Sequence, residues 1–284
     1  MRGVVRKAFS GRYLVVLPDG ERLVSPLGRL RQLSRPILTG DEVEVEGGVI
    51  VRVYEPRTVL RRPPVANVDV AFVLFTLARP AMTLLELDRL LCHVAKAGID
   101  PVIVAHKADE ARIDQVAQAL GPYEKAGFPV VFASAVDGRG REDILAILGR
   151  RTAVLVGPSG VGKSSLARLL TGQPLKVGEL SRATERGRHT TRWCELLPAG
   201  EGLLVDTPGF QELSIEDWEE ADVQYGYPEF AAWRCRFRDC LHRQEPGCAV
   251  KAAVEEGDLD RGRYERYRIL VEEVHEWRLS HPRY

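Results

Sequence analysis

The sequence lacks a net charge, a long apolar segment and abundant cysteine, and each absence excludes a class of protein. Its 40 lysines and arginines balance its 40 aspartates and glutamates, so no basic field covers the whole molecule. The longest largely apolar stretch, Val68–Ala78, is far shorter than the roughly 20 residues of a membrane-spanning helix. The N-terminus lacks the apolar core of a signal peptide, so we expect a soluble, cytoplasmic protein without disulfides.

The first 63 residues differ from the rest of the chain in charge and pattern. They contain 12 lysines and arginines against seven acidic residues, and short β-branched runs alternate with turn dipeptides. Several short strands in so few residues predict a small barrel, and the basic excess favours an RNA-binding OB-fold over residues 1–63. A barrel with a purely structural role is the alternative. The segment Arg61–Pro64 predicts a linker, because its paired prolines interrupt regular structure.

Residues 65–221 alternate strand patterns with helix patterns. This alternation predicts an α/β domain with a largely parallel sheet flanked by helices. The predicted elements are Val68–Leu77, a helix over Leu84–Ala97 ended by Gly98, and strands over Val102–Ala105, Val130–Ala133, Ala153–Val156, Arg192–Leu197 and Leu203–Val205.

A complete phosphate-binding loop lies between the apolar run Val154–Val156 and a helix predicted over 162–170. Its glycines allow backbone N–H groups to turn toward phosphates, Lys163 is expected to reach the terminal phosphates, and Ser164 is expected to bind Mg²⁺. The strand–loop–helix context argues against the alternative, a glycine-rich turn without a ligand. The residues predicted to bind nucleotide here are Gly157, Pro158, Ser159, Gly160, Val161, Gly162, Lys163, Ser164 and Ser165.

A second strand delivers Asp206 at its carboxyl end, where α/β sheets bind ligands. Asp206 is expected to hold Mg²⁺, and the N–H of Gly209 is expected to contact the γ-phosphate. The basic loop between the phosphate-binding loop and Asp206 contains Thr190 and Thr191, and either threonine can complete the Mg²⁺ shell.

Base recognition is predicted from a strand that runs into His106, Lys107 and Asp109. The carboxylate of Asp109 can accept two hydrogen bonds from the edge of guanine, a pattern that adenine cannot offer, while the stem of Lys107 covers the base. The usual motif begins with Asn or Thr, so His106 is a departure; it can donate to the base or to the phosphate-binding loop. The alternative is that the segment from His106 to Asp109 is only a solvated loop.

A further strand ends in Ser134 and Ala135, whose backbone is expected to meet the guanine carbonyl oxygen. Both guanine motifs precede the phosphate-binding loop, whereas they follow it in an ordinary GTPase. The order therefore indicates a circularly permuted GTPase domain.

Three of the five cysteines cluster with a histidine. Cys235, Cys240, His242 and Cys248 supply four zinc ligands within 14 residues, and this set fits a closed, structural Zn²⁺ site. Buried cysteines beside an unrelated histidine are the alternative, and ordinary packing is expected for the other two cysteines, Cys92 and Cys194.

Residues 222–284 are predicted to form a mainly helical zinc-binding domain. Arg263, Arg266 and Arg268 are expected on the solvated face of its last helix, with contact to RNA as the alternative. The residues expected to pack inward at helical spacing are Tyr264, Tyr267, Leu270, Val271, Val274 and Trp277.

Phe210 stands where many GTPases place a water-orienting glutamine. Because a phenyl ring cannot orient water by hydrogen bonding, unassisted hydrolysis is expected to be slow. We take Lys163 and His189 as the candidate catalytic residues. His189 is expected either to orient water or to contact rRNA, and packing of its loop is the structural alternative.

These motifs, in this order, resemble the RsgA (YjeQ/YloQ) family of circularly permuted ribosome-biogenesis GTPases. The resemblance rests on the phosphate-binding loop, Gly187–Thr191, Asp206–Phe210 and the spacing from Cys235 to Cys248. It implies an OB domain, a permuted GTPase domain and a C-terminal zinc domain. It also implies hydrolysis of GTP to GDP, stimulated by the small ribosomal subunit, and a role in the late maturation of that subunit.

The expected cofactors are therefore GTP or GDP, Mg²⁺ and one structural Zn²⁺, and the expected partners are the small subunit and its rRNA, with no membrane. A monomer is expected. Two other classes stay open: a P-loop kinase or ATPase, which would need to accept adenine, and an RNA-binding assembly module with little turnover.

Overall fold

The computed structural model describes residues 1–9, 11–28, 30, 35–61, 64–109, 113–173, 194–206, 215 and 217–281. In the N-terminal part, five strands form a barrel: β1 (Arg2–Phe9), β2 (Arg12–Leu17), β3 (Gly20–Pro26), β4 (Glu42–Glu46) and β5 (Val49–Val53). The barrel is closed, because β1 pairs with both β2 and β4 while β3 pairs with β5 in parallel. Alternate side chains point inward and form a buried core that includes Val5, Val15, Val43 and Ile50. The predicted OB-like barrel is confirmed.

The prediction of a linker at Arg61–Pro64 is wrong. Strands β6 (Val59–Arg61) and β7 (Pro64–Ala66) form a two-stranded antiparallel sheet in which Arg61 lies opposite Pro64. Pro64 is the first residue of its strand, a position where its missing N–H is tolerated. Leu60 and Val65 are buried in the core of the α/β domain, and this burial outweighs the local preference for irregular structure.

The central part is the predicted α/β domain. Its elements are β8 (Val70–Phe75), α1 (Leu84–Lys96), β9 (Asp100–His106), α2 (Ile113–Lys125), β10 (Val130–Ala133), α3 (Arg141–Leu148), β11 (Thr152–Val156), α4 (Lys163–Thr171), β12 (Glu195–Ala199) and β13 (Gly202–Asp206). The strand order in its sheet is β10-β9-β8-β11-β13-β12. All neighbouring strands are parallel except β12, which is antiparallel to β13. Helices α1 and α2 cover one face of the sheet and α3 and α4 the other.

The C-terminal part is mainly helical, as predicted. Two 3-10 helices (Glu220–Gly226 and Pro228–Ala232) precede α5 (Ala249–Glu256) and α6 (Arg261–Ser280). The predicted apolar face of α6 is buried from Tyr264 to Val274, and Trp277 at its end is half-buried.

The expectation that Arg263 lies on a solvated face is wrong. This residue is 1% exposed, because its guanidinium pairs with the buried carboxylate of Asp88 in α1. Arg266 is half-buried beside the same carboxylate, whereas Arg268 is exposed as expected.

Candidate nucleotide and zinc sites

The carboxyl ends of the parallel strands form one edge of the sheet, and the predicted nucleotide motifs lie along it. The guanine motifs follow β9 and β10, the phosphate-binding loop follows β11, and Asp206 ends β13. Only β8 lies between β9 and β11. Two strand spacings, about 10 Å, therefore separate the strand of the base motif from that of the phosphate motif, and one nucleotide can span that distance.

Lys163 begins α4, directly after the glycine-rich loop. Its Nζ donates to the carbonyl oxygens of Gly157 and Pro158, at 2.7 and 2.8 Å, so the ammonium group lies at the mouth of the loop. Burial lowers the pKa of Lys163 to about 8. A bound polyphosphate would favour the charged form, because opposite charge raises the pKa of a lysine.

Ser164 and Asp206 supply the oxygen donors predicted for Mg²⁺. Ser164 is exposed in the first turn of α4, and Asp206 is half-buried at the end of β13, which pairs with β11. Burial raises the pKa of Asp206, and the negative charge of Glu195 raises it further. A hydroxyl and a carboxylate are hard ligands of the kind that Mg²⁺ prefers, so these residues fit the ion.

His106 joins the base motif to the phosphate-binding loop. The residue ends β9 and is 3% exposed. Its imidazole lies against the backbone of Gly162, where an added Cβ would collide with Nε2 and Cδ2 of the ring. Gly162 has φ +107°, and no other residue would leave room for the imidazole there.

A second contact joins the same two loops. Lys107 donates from Nζ to the carbonyl oxygen of Arg79, in the loop that follows β8. In that loop, Pro80 Cγ lies 3.3 Å from the position that a Cβ on Gly160 would occupy. The base motif therefore contacts the phosphate-binding loop both directly and through the loop after β8.

Asp109 is exposed, and Ser134 beneath it is fully buried. A hydrogen bond from the Ser134 hydroxyl holds the pKa of Asp109 below its ordinary value, and the charges of His106 and Arg139 contribute in the same direction. The backbone N–H groups of Val136 and Asp137 donate to the Ser134 oxygen. Asp109 is thus an ionised acceptor held by the second guanine motif, and Ala135 follows half-buried.

The other predicted nucleotide residues lie outside the described residues. They are His189, Thr190, Thr191, Gly209 and Phe210.

The four predicted zinc ligands come together. Their ligand atoms all lie within 4.8 Å of one another. Cys235 Sγ is 3.8 Å from Cys248 Sγ and 3.5 Å from His242 Nδ1, which is 3.4 Å from Cys248 Sγ. Zn–S bonds of about 2.3 Å and Zn–N bonds of about 2.0 Å in a tetrahedron require roughly these separations. The cluster therefore fits zinc.

Groups around the zinc cluster fix its loop. Although burial opposes ionisation of Cys235, the backbone N–H groups of Val250 and Ala249 lower the pKa of its thiol. The carboxylate of Glu245 accepts hydrogen bonds from three backbone N–H groups of the loop. The hydroxyl of Tyr264 donates to the carbonyl oxygen of His242 at 2.7 Å.

Sequence reasoning missed three parts of these sites. It assigned no role to the loop at Arg79 and Pro80, to Glu195 opposite Asp206, or to the loop carboxylate of Glu245. Glu245 lies between two predicted zinc ligands in the sequence, His242 and Cys248, and this position was the one local signal for it. The other two gave no local signal, because the contact of Arg79 with Lys107 and that of Glu195 with Lys7 are made across different elements of the fold.

Comparisons with known proteins agree with this geometry. A family model described as RsgA GTPase matches residues 53–216. A protein of Shouchella clausii (strain KSM-K16), named small ribosomal subunit biogenesis GTPase RsgA, is 38% identical over 283 residues, which cover 96% of this chain and 97% of that protein.

Two solved structures are similar over nearly their whole length. YjeQ from Thermotoga maritima gives a TM-score of 0.84 at 32% identity and covers 96% of this chain and 98% of its own. YloQ, described as a circularly permuted GTPase, gives 0.80 at 32% identity and covers 100% and 96%. These matches confirm the predicted three-part fold. Among the described residues, no helix combines the length and apolar character needed to cross a membrane.

Proposed function

The chain belongs to the RsgA GTPase family of GTP-hydrolysing enzymes, and we propose that it binds the small ribosomal subunit and assists its late maturation. GTP is hydrolysed to GDP and phosphate, and the subunit stimulates the reaction. The name of the Shouchella clausii relative supports the partner. The observation that carries the nucleotide assignment is the packing of His106 on Gly162, which brings the base motif to the phosphate-binding loop.

In this proposal the base and the phosphates occupy the two halves of the sheet edge. Asp109 accepts hydrogen bonds from guanine, the stem of Lys107 covers the base, and the backbone at Ser134 and Ala135 meets the guanine carbonyl oxygen. The residues that cradle the phosphates are Gly157, Pro158, Ser159, Gly160, Val161, Gly162, Lys163, Ser164 and Ser165. Thr190, Thr191 and Gly209 stay predictions from the sequence alone.

Ser164 and Asp206 would hold Mg²⁺, with Thr190 or Thr191 as the further predicted ligand. When bound, Mg²⁺ neutralises charge on the terminal phosphates. Lys163 contributes the other positive charge at the same point. In the zinc segment, Cys235, Cys240, His242 and Cys248 would hold one structural Zn²⁺, which leaves no open position for catalysis.

We propose that the partner supplies or positions the group that orients water. Phe210 cannot do so, and His189 is the candidate within the chain. The barrel, over residues 1–63, is proposed to contact rRNA through its basic excess.

The partner is tested by measuring multiple-turnover phosphate release with small subunits, large subunits or naked RNA. We expect small subunits alone to raise turnover by at least tenfold. Equal stimulation by large subunits would refute the assignment of the partner. Nucleotide binding without turnover in any mixture would favour an RNA-binding assembly module.

Base recognition is tested with Asp109→Asn. An amide both accepts and donates, so the variant should lose guanine affinity by at least about tenfold, or 1.4 kcal/mol, and gain affinity for xanthine nucleotides. Fluorescent GDP and XDP analogues measure both constants. Asp114→Asn, at the start of α2, is the matched control and should change neither. Unchanged preference in Asp109→Asn would contradict the base site and favour an ATPase or kinase.

A further inference from the structure

Strand β1 serves both the barrel and the α/β sheet. Its first residues, Arg2–Val4, pair with β4 and close the barrel. The pairing of β1 with β2 then shifts register between Val5 and Lys7, so Arg6 forms a bulge. Beyond the bulge, Lys7 lies opposite Glu195 of β12. Because bulges redirect a strand and its side chains, this one turns the end of β1 toward the nucleotide domain.

Glu195 is the link between β1 and the candidate metal site. It lies directly opposite Asp206 in the antiparallel pair of β12 and β13. On its other side, Lys7 Nζ lies 2.5 Å from Glu195 Oε2, and Arg6 NH2 lies 3.5 Å from Oε1. The side chains of Lys7 and Glu195 are 29% and 24% exposed, so solvent screens this pair only partly.

The consequence is a row of three charges, those of Lys7, Glu195 and Asp206, that ends at the site. Two carboxylates directly opposite each other in a sheet repel, and here a barrel lysine neutralises the carboxylate next to Asp206. Cross-strand neighbours lie about 5 Å apart, close enough for each charge to change the potential at the next.

We propose that Lys7 and Glu195 are positioning residues that set the electrostatic potential at Asp206, and through it the Mg²⁺ affinity of the nucleotide site. The inference rests on the proposed role of Asp206 as a Mg²⁺ ligand. It couples the barrel to the metal site, since Lys7 belongs to the barrel strand β1.

The test uses two substitutions with opposite expected signs. Lys7→Met keeps the side-chain length and removes the positive charge, so Glu195 is less neutralised and Mg²⁺ should bind about threefold more tightly; Arg6 retains part of the neutralisation. Glu195→Gln removes the neighbouring negative charge, so Mg²⁺ should bind about three- to tenfold more weakly. The double variant should lie nearer the wild-type value than Glu195→Gln does.

The measurement is the affinity of a fluorescent GDP analogue as a function of Mg²⁺ concentration, at constant ionic strength and with no turnover. If Lys7 and Glu195 only stabilised the sheet, both variants would weaken Mg²⁺ binding. That result, or no change in either variant, would overturn the inference.

Controls separate this inference from the proposed function. Arg150 and Glu201 pair at the opposite end of the β12–β13 hairpin, where both side chains are highly exposed. Arg150→Met and Glu201→Gln should leave the Mg²⁺ dependence unchanged; a shift as large as that at Lys7 would point to net charge alone and refute the inference. Asp206→Asn removes the carboxylate itself, so it should weaken Mg²⁺ binding more than Glu195→Gln does. If it does not, the proposed metal site is wrong, whatever Lys7 and Glu195 do.

Discussion

The barrel and the C-terminal zinc segment are both joined to the α/β domain, but the two junctions are built from different interactions. We call the contacts of β1 and Thr39 with Cys194 and Glu195 the barrel junction. We call the contacts of Asp88 with Arg263 and Arg266, together with the residues around them, the C-terminal junction.

The barrel junction is narrow and mainly polar. Its side-chain contacts include the ion pairs at Glu195 and a buried hydrogen bond of 3.0 Å from Thr39 Oγ1 to the carbonyl oxygen of Cys194. Nearby, Asn67 Nδ2 donates to the carbonyl oxygen of Gly40. The buried core of the barrel draws all its described members from Val5 to Ile50. From strand β1, the partly buried Val4 packs against the core of the α/β domain instead.

The C-terminal junction is buried and apolar around a central charge. The guanidinium of Arg263 donates to Asp88 at 2.8 Å and to Glu229 at 2.7 Å. It lies between the rings of Tyr123 and Tyr227, at 4.5 and 4.4 Å from their centroids. The apolar core of the C-terminal segment also includes Cys92 from α1, so the two parts share one core.

This contrast shows which of the two boundaries can reorient at a low cost in free energy. Reorienting the zinc segment would expose shared apolar surface and unpair buried charges, each of which costs several kcal/mol. Reorienting the barrel would break one short stretch of strand pairing, a few partly exposed ion pairs, the hydrogen bond of Thr39 and the packing of the partly buried Val4. We therefore expect the zinc segment to move as one body with the α/β domain, and the barrel to be the more adjustable part.

Removal of zinc should have the largest effect, and it should stay on the C-terminal side of the molecule. On the order of 10 kcal/mol of binding free energy contributes to folding in small zinc sites. Cys248→Ser should therefore lose one equivalent of zinc and most of the hydrogen-exchange protection of residues 235–248, while the barrel keeps its protection. Cys194→Ser, outside the cluster, should keep its zinc. Zinc retained in Cys248→Ser would contradict the assigned site.

Arg263→Ala should have the next largest effect. It leaves Asp88 buried with one partner fewer, and breaking a buried ion pair costs about 3–5 kcal/mol. Urea denaturation should show this loss of unfolding free energy. Arg278→Ala, on the same helix but in a half-exposed pair with Glu219 and Glu220, should cost less than about 1 kcal/mol. Equal losses in the two variants would mean that the C-terminal junction is no stronger than a surface contact.

The contacts in these junctions also show which features of the fold the sequence alone did not predict. The phosphate-binding loop, the base motif and the zinc cluster could be located from the sequence, because each is a short pattern whose chemistry depends on local spacing. That these residues bind nucleotide and metal stays a prediction. The helix at Leu84 was predicted to within one residue of its observed end at Lys96, since Gly98 follows it; the structure adds that Thr83 caps its start.

Long-range partners were not predictable in the same way. Arg263 and Asp88 are 175 residues apart, and Lys7 and Glu195 are 188 apart. Nothing near Arg263 in the sequence distinguishes it from the exposed Arg268. The hairpin at Arg61 and Pro64 was missed for a related reason: its stability comes from burying Leu60 and Val65 in a core formed by distant strands.

Thr39→Val should have the smallest effect and tests the barrel junction directly. The substitution keeps the side-chain shape and removes the hydroxyl that donates to Cys194, so we expect a loss of about 1 kcal/mol. Thr171→Val removes a hydrogen bond of 2.8 Å that lies within α4 and serves as the control. Hydrogen exchange should rise at β1 and β12 in Thr39→Val only. A loss as large as that of Arg263→Ala would show that the barrel is held as firmly as the zinc segment, and the contrast between the two junctions would fail.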